Sequence, residues 1–173
     1  MTPARLRHIF SYAVLCLLLL TVQSPAKQKK AAPELSKWWI CGAGLNSSGP
    51  AVIFKLAICS TDKKFTSGLT KESFEVQTPG DNVNILMVID PVMPPSNFAL
   101  PYKEIMLISG SGTAKVFQAT SLRLKGETRW VSLSEVFNIG ENSFALVSCS
   151  RCGTKHDEKE RKCKRCGAEF IVQ

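Results

Sequence analysis

Residues 51–59 read AVIFKLAIC, with Val52, Phe54, Leu56 and Ile58 at every second position and Ile53 and Ala57 beside Lys55 between them. A period of two puts the first set on one face of a pleated strand and the second set on the other. Ser48-Gly49-Pro50 in front and Ser60-Thr61-Asp62 behind are turn chemistry, so the run is bounded as a strand. Residues 83–90 (VNILMVID) repeat the pattern, with Val83, Ile85, Met87 and Ile89 on one face, and the prolines of 91–95 stop it. Weaker strands are expected at 74–77, 105–109 and 114–120, and 122–124 should pair with 130–133 in a hairpin across Lys125-Gly126-Glu127. One helical turn is expected at 134–137, and no window of a dozen residues holds a helical period. Short strands separated by Gly, Pro, Asn and Asp predict a mostly β chain: a small antiparallel β-sandwich or barrel over residues 38–148. A segment of that size buries a two-layer core.

Upstream, residues 1–26 have the three parts of a secretory signal peptide. Arg5, Arg7 and His8 precede an apolar run from Ile9 to Val22, and Ser24-Pro25-Ala26 supplies small residues for cleavage. The run is short for a bilayer crossing, which takes about 20 apolar residues. Cys16 lies inside the run rather than after it, unlike a lipoprotein cysteine. Lys27, Lys29 and Lys30 follow the cleavage point and oppose translocation, so an uncleaved membrane anchor is the alternative. Residues 27–37 form a basic linker without hydrophobic periodicity. The expected location is secreted, periplasmic or within the secretory pathway, with membrane contact only if the N-terminal segment stays attached.

The net charge of +8 resides at the ends of the chain. Residues 38–148 carry nine basic and nine acidic side chains, whereas 149–173 carry seven basic and four acidic. Attraction to anionic partners would therefore come from the termini.

Cys41 and Cys59 are the only cysteines of the middle segment, and in an exported protein they form a candidate disulfide. A hairpin turning at 46–49 would set Cys41 opposite Phe54, so the bridge requires an offset or cross-sheet arrangement. Two buried free thiols are the alternative in a reducing compartment. Asn46-Ser47-Ser48 is an N-glycosylation triplet at Asn46 in a turn-rich loop. Trp38 and Trp39 point to opposite faces of a strand, one expected in the core and the other exposed or at an interface.

The C-terminal segment reads Cys149-Ser-Arg-Cys152-Gly153, then, after a spacer, Cys163-Lys-Arg-Cys166-Gly167. Zn2+ favours four tetrahedral thiolates, and each CxxC turn supplies one edge of the tetrahedron. The glycine after each pair permits the positive φ of such a turn and frees amides to bond the sulfurs. Strands are expected to enter at 144–147 and to leave at 169–172. With these features the segment resembles the zinc-ribbon superfamily. That resemblance implies one structural Zn2+ held by Cys149, Cys152, Cys163 and Cys166, and a ribbon module over 149–173. Two disulfides are the competing reading of the four cysteines in an oxidising compartment. A thioredoxin-like pair would need a βαβ setting, and catalytic zinc would need an open coordination position. Arg151, Lys155, Lys162, Lys164 and Arg165 are candidate contacts for an anion or nucleic acid, although acidic residues interrupt them and base-stacking aromatics are lacking. His156 is expected to be exposed and solvated.

No catalytic pattern emerges. After signal removal His156 is the one histidine left, and there is no HExxH. Gly110-Ser-Gly112 lacks the ending of a phosphate loop and reads as a turn, and nothing selects Asp90 and Glu104 from the other acids. The leading expectation is a non-enzymatic exported protein that binds a protein or envelope component and carries a structural zinc ribbon. One alternative is a membrane-anchored adaptor whose basic ribbon binds nucleic acid or an acidic protein. The other is an exported thiol–disulfide protein using its CxxC pairs.

Overall fold

The computed structural model describes residues 35–48, 50–110, 112–157 and 159–171. The leader, Cys16 and most of the basic linker lie outside the described residues. The fold below is that of the compact unit spanning 34–173.

Nine strands run in the order β1 (Trp38–Ser48), β2 (Ala51–Ser60), β3 (Phe74–Gln77), β4 (Val83–Ile89), β5 (Tyr102–Ser109), β6 (Ser121–Leu124), β7 (Val131–Ser132), β8 (Phe137–Ile139) and β9 (Phe144–Leu146). Two short helices interrupt them, α1 (Lys63–Ser67) and α2 (Leu133–Val136). The main sheet has the order β1-β2-β5-β4, a second sheet β3-β6-β7, and β8-β9 stand as a hairpin. Every pairing is antiparallel. Among the described residues no sheet closes on itself, so the barrel alternative falls. The alternation in residues 51–59 dictates the layering: Val52, Phe54, Leu56 and Ile58 all enter the main core, together with Phe74, Leu122 and Leu124 of the second sheet. Phe54 anchors it, stacked on Phe117 at 5.3 Å between centroids and edge-on to Phe137 at 5.6 Å.

Residues 114–120 are not a strand. Ala114–Ala119 form a 3-10 turn in which Thr113 Oγ1 accepts from the Lys115 amide, and Ala114 and Phe117, three apart, bury their side chains. Apolar spacing of three suits that geometry as well as the irregular stretch of a strand, and the cap decides between them. Gly112 takes φ 71°, as a turn requires.

The first hairpin turns later than expected, with Ser48 facing Ala51, which shifts the register by four residues. A bulge then leaves Cys41 between the pairs Ile40–Ile58 and Gly42–Ala57. Cys41 thereby becomes a diagonal neighbour of Cys59 on the adjacent strand, and the two are joined as a disulfide. Asn46 sits in β1 opposite Ile53, exposed near the turn, rather than in a loop. Trp38 and Trp39 are both buried, at 2% and 1% exposure. Trp38 joins the main core, and Trp39 faces the back of the sheet, where the C-terminal segment lies.

Candidate metal centre

Each CxxCG unit folds as the same small loop. In the first, the Gly153 amide donates to the Cys149 carbonyl (2.7 Å) and the Cys149 amide to the Thr154 carbonyl (2.8 Å). In the second, Gly167 donates to Cys163 (2.9 Å) and Cys163 to Ala168 (2.8 Å). Gly153 and Gly167 have φ of 71° and 67°, a region that costs any residue with a Cβ. The correspondence extends outward. Ser148 bridges Lys155 as Lys162 bridges Glu169, and His156 donates to Val147 as Phe170 donates to Arg161. The two knuckles are thus copies offset by fourteen positions, which brings their sulfurs together about a local pseudo-twofold.

The four Sγ atoms lie within 4.8 Å of one another, with Cys149–Cys166 at 3.6 Å and Cys152–Cys163 at 3.5 Å. A zinc–sulfur bond of about 2.3 Å implies tetrahedron edges of roughly 3.8 Å, so donor chemistry and spacing both fit one structural Zn2+. Four thiolates fill the coordination sphere and leave no position for a reacting water. Burial pushes the Cys149 and Cys166 thiols upward. At Cys152 burial acts in the same direction, but the Thr154 hydroxyl and amide and the neighbouring sulfurs outweigh it and bring the thiol down to about 7. Thr154 Oγ1 lies 3.2 Å from that sulfur.

The ribbon is built onto the sheet. Trp39, Cys41, Ala57, Cys59 and Tyr102 from the back face form one buried cluster with Cys149, Cys152, Cys163, Ala168 and Phe170. Trp39 Nε1 donates to the Glu169 carbonyl (2.9 Å), Ser150 Oγ accepts the buried Ile40 amide (2.8 Å), and the Ile171 amide donates to the Cys41 carbonyl (2.7 Å). The last of these uses the carbonyl of Cys41, the residue that the bulge leaves without a ladder partner. Gly42 is required by the approach: a Cβ there would stand 3.1 Å from Ile171 Cβ. The expected strand at 169–172 is reduced to one bridge at Glu169 followed by this contact.

The basic side chains do not form a single anion surface. Arg151 Nε donates to the Ser36 carbonyl (3.1 Å), and its guanidinium lies 4.9 Å from the Trp39 ring centre. Lys162 pairs with Glu169 at 2.8 Å, and Lys164 pairs with Glu160. Lys155 and Arg165 are exposed. Of the two acids considered for catalysis, Asp90 pairs with Lys103 at 2.8 Å and Glu104 stands opposite Ile89.

His156 is not solvated. Its side chain is 1% exposed, its ring centre lies 4.2 Å from that of Phe170, and Nδ1 is 3.8 Å from Glu160 Oε2. It occupies the place in the first knuckle that Phe170 occupies in the second, and the two rings fill the ribbon's core. Nε2 is buried without a hydrogen-bond partner among the described residues. An atom so placed costs about 1–3 kcal/mol. The fourteen-residue offset between the CxxCG units would have exposed this equivalence in the sequence. No comparable signal announced Ser150 or Gly42.

No protein-family profile, curated protein or solved structure matches this chain.

Proposed function

We propose that the protein is a non-enzymatic, exported interaction protein whose C-terminal zinc ribbon is a structural clip on the back of its main sheet. The observation that carries this reading is the closed set of four cysteines, sealed against the sheet by a shared buried cluster. A metal with four thiolate ligands contributes folding free energy and has no position for substrate. The disulfide between Cys41 and Cys59 supports an oxidising compartment, as does the leader-like N-terminus. An interaction role is supported by Val92 and Met93, 84% and 86% exposed, which the flanking prolines hold at the surface beside β4. The knuckle geometry supports membership of the zinc-ribbon class, and the exposed Asn46 remains a candidate glycosylation site in a eukaryotic secretory pathway. The nucleic-acid alternative is weakened by the internal partners of Arg151, Lys162 and Lys164.

Two measurements on the protein purified from its native host test the proposal. Metal analysis with thiol counting should give one zinc and four reduced cysteines per chain, and N-terminal sequencing should begin near residue 27. Four oxidised ribbon cysteines would overturn the structural clip. A mature chain beginning at Met1 would overturn export.

A further inference from the structure

Packing alone would place the same kind of side chain at the two equivalent positions of the ribbon. The second knuckle uses Phe170, and the first uses His156, whose buried Nε2 has no described partner. His156 lines two clefts. One, of about 470 Å³, is lined by no Asp, Glu, Lys or Arg. The other, of about 620 Å³, lies between the first knuckle, α2 and the segment entering β7, and is lined by Arg129, Trp130, Glu135, Val147 and Lys155 as well as His156.

These groups have the chemistry of a peptide site. Arg129 is held in place because its guanidinium donates to the carbonyls of Ser150 and Arg151. Lys155 and Glu135 are exposed and enter no ion pair with a described residue. Trp130 is half-buried, with the Arg123 guanidinium 4.3 Å from its ring centre. Val147 is 37% exposed. Cations and a carboxylate on one rim with an aromatic and an aliphatic wall match a chain that has donors, acceptors and side chains together.

We propose that this cleft binds an acidic peptide segment of a partner protein. Arg129 and Lys155 take the peptide's carboxylate, Trp130 and Val147 cover a neighbouring apolar side chain, and Glu135 accepts a peptide N–H. Cys149 lines the knuckle wall, so the carboxylate is set against Arg129 and Lys155 rather than against sulfur. Fixing Arg129 beforehand lowers the ordering cost of binding. The inference rests on the interaction role proposed above and names the partner's chemistry.

The test is selection of random seven-residue displayed peptides on the zinc-loaded full chain, followed by anisotropy titration of synthetic versions. The expected result is enrichment of peptides with Asp or Glu beside an apolar residue. The double variant Arg129→Gln/Lys155→Gln should weaken them by about tenfold or more. Glu135→Gln should leave the carboxylate contact intact and alter only the choice of flanking residues. His156→Phe keeps the rim of the cleft and removes the unpartnered buried nitrogen, so it should bind these peptides as the parent does, with the same zinc content and a melting temperature no lower than the parent's. If that variant fails to fold, the exposed Arg129/Lys155 pair still decides the matter. Failure to enrich acidic peptides overturns the cleft. Peptides that bind the parent and all variants equally overturn it too, while leaving the interaction role in place.

Discussion

Replacing Trp39 with alanine tests whether the ribbon is part of the fold or a tethered tail. The indole is 1% exposed, donates to the Glu169 carbonyl and lies beneath the Arg151 guanidinium. Truncating a buried aromatic costs about 3–5 kcal/mol, and the Glu169 carbonyl loses its donor as well. Trp39 belongs to the cluster that joins the back of the sheet to the four-cysteine segment, not to the main core. Passed to the ribbon, a loss of about 3 kcal/mol corresponds to roughly two orders of magnitude in zinc retention. The assay is transfer of zinc to a chromogenic chelator, followed at several chelator concentrations to obtain the equilibrium. Trp38→Ala is the control, because Trp38 lies in the main core and its Nε1 bonds Glu127; it should lower the melting temperature of the whole domain. Equal zinc retention by Trp39→Ala and the parent would refute the reasoning and make the ribbon an independent appendage.

Zinc binding at pH 7 should release more than two protons per ion: one each from Cys149 and Cys166, held protonated by burial, and about half from Cys152, whose thiol sits near 7. Calorimetry in buffers of different ionisation enthalpy counts them, and zinc affinity should fall as pH falls because protons compete for the sulfurs. In the metal-free protein the raised thiols stabilise the fold below pH 9 and lose that contribution as pH rises, whereas Cys152 contributes above 9 and loses it as pH falls through 7; melting curves across that window separate the two. Replacing both Cys41 and Cys59 with alanine should cost about 3 kcal/mol by denaturant titration, given a separation of 18 residues. Gly153→Ala and Gly167→Ala should each cost about 1–2 kcal/mol in ribbon stability, and to a similar degree, since a Cβ meets nothing within 4 Å at either site and only the backbone is strained. A chelator titration that finds one variant silent would break the equivalence of the knuckles.

Local chemistry was legible in the sequence, and long-range contact was not. Alternation in residues 51–59 specified a strand and its faces because the period of two belongs to the strand alone; in 83–89 the strand was legible, but a bulge after Ile85 leaves Met87 exposed and turns Val88 to the core, breaking the expected face. The CxxCG units were legible for the same reason, since each knuckle closes within six residues. The register of the first hairpin was not, because Asn46, Ser47, Ser48 and Gly49 all have turn chemistry and only packing sets Ser48 opposite Ala51. Residues 114–119 misled because a short apolar stretch reads as a strand until Thr113 is seen to cap a 3-10 turn. The site's surroundings depend on pairs such as Ile40 with Ser150 and Gly42 with Ile171, more than a hundred positions apart, and no single-sequence period encodes those.

The position of the disulfide bears on the compartment. A reduced tetrathiolate site and a secretory leader are awkward together if the ribbon is a free tail, since an oxidising environment would convert its cysteines. Here Cys41 and Cys59 share a buried cluster with Cys149, Cys152 and Cys163, and all five are nearly inaccessible to solvent. Exchange requires a free thiolate with access to a sulfur. Bound zinc would occupy the four thiolates, and packing against the sheet buries three of them, with Cys166 partly exposed. Docking on the sheet therefore protects the metal site, and the bulge that positions Cys41 for its bridge also presents the carbonyl that holds Ile171. Oxidation of one cysteine pair and retention of the other four as thiolates become compatible in one molecule, so the export proposal and the zinc ribbon need not exclude each other.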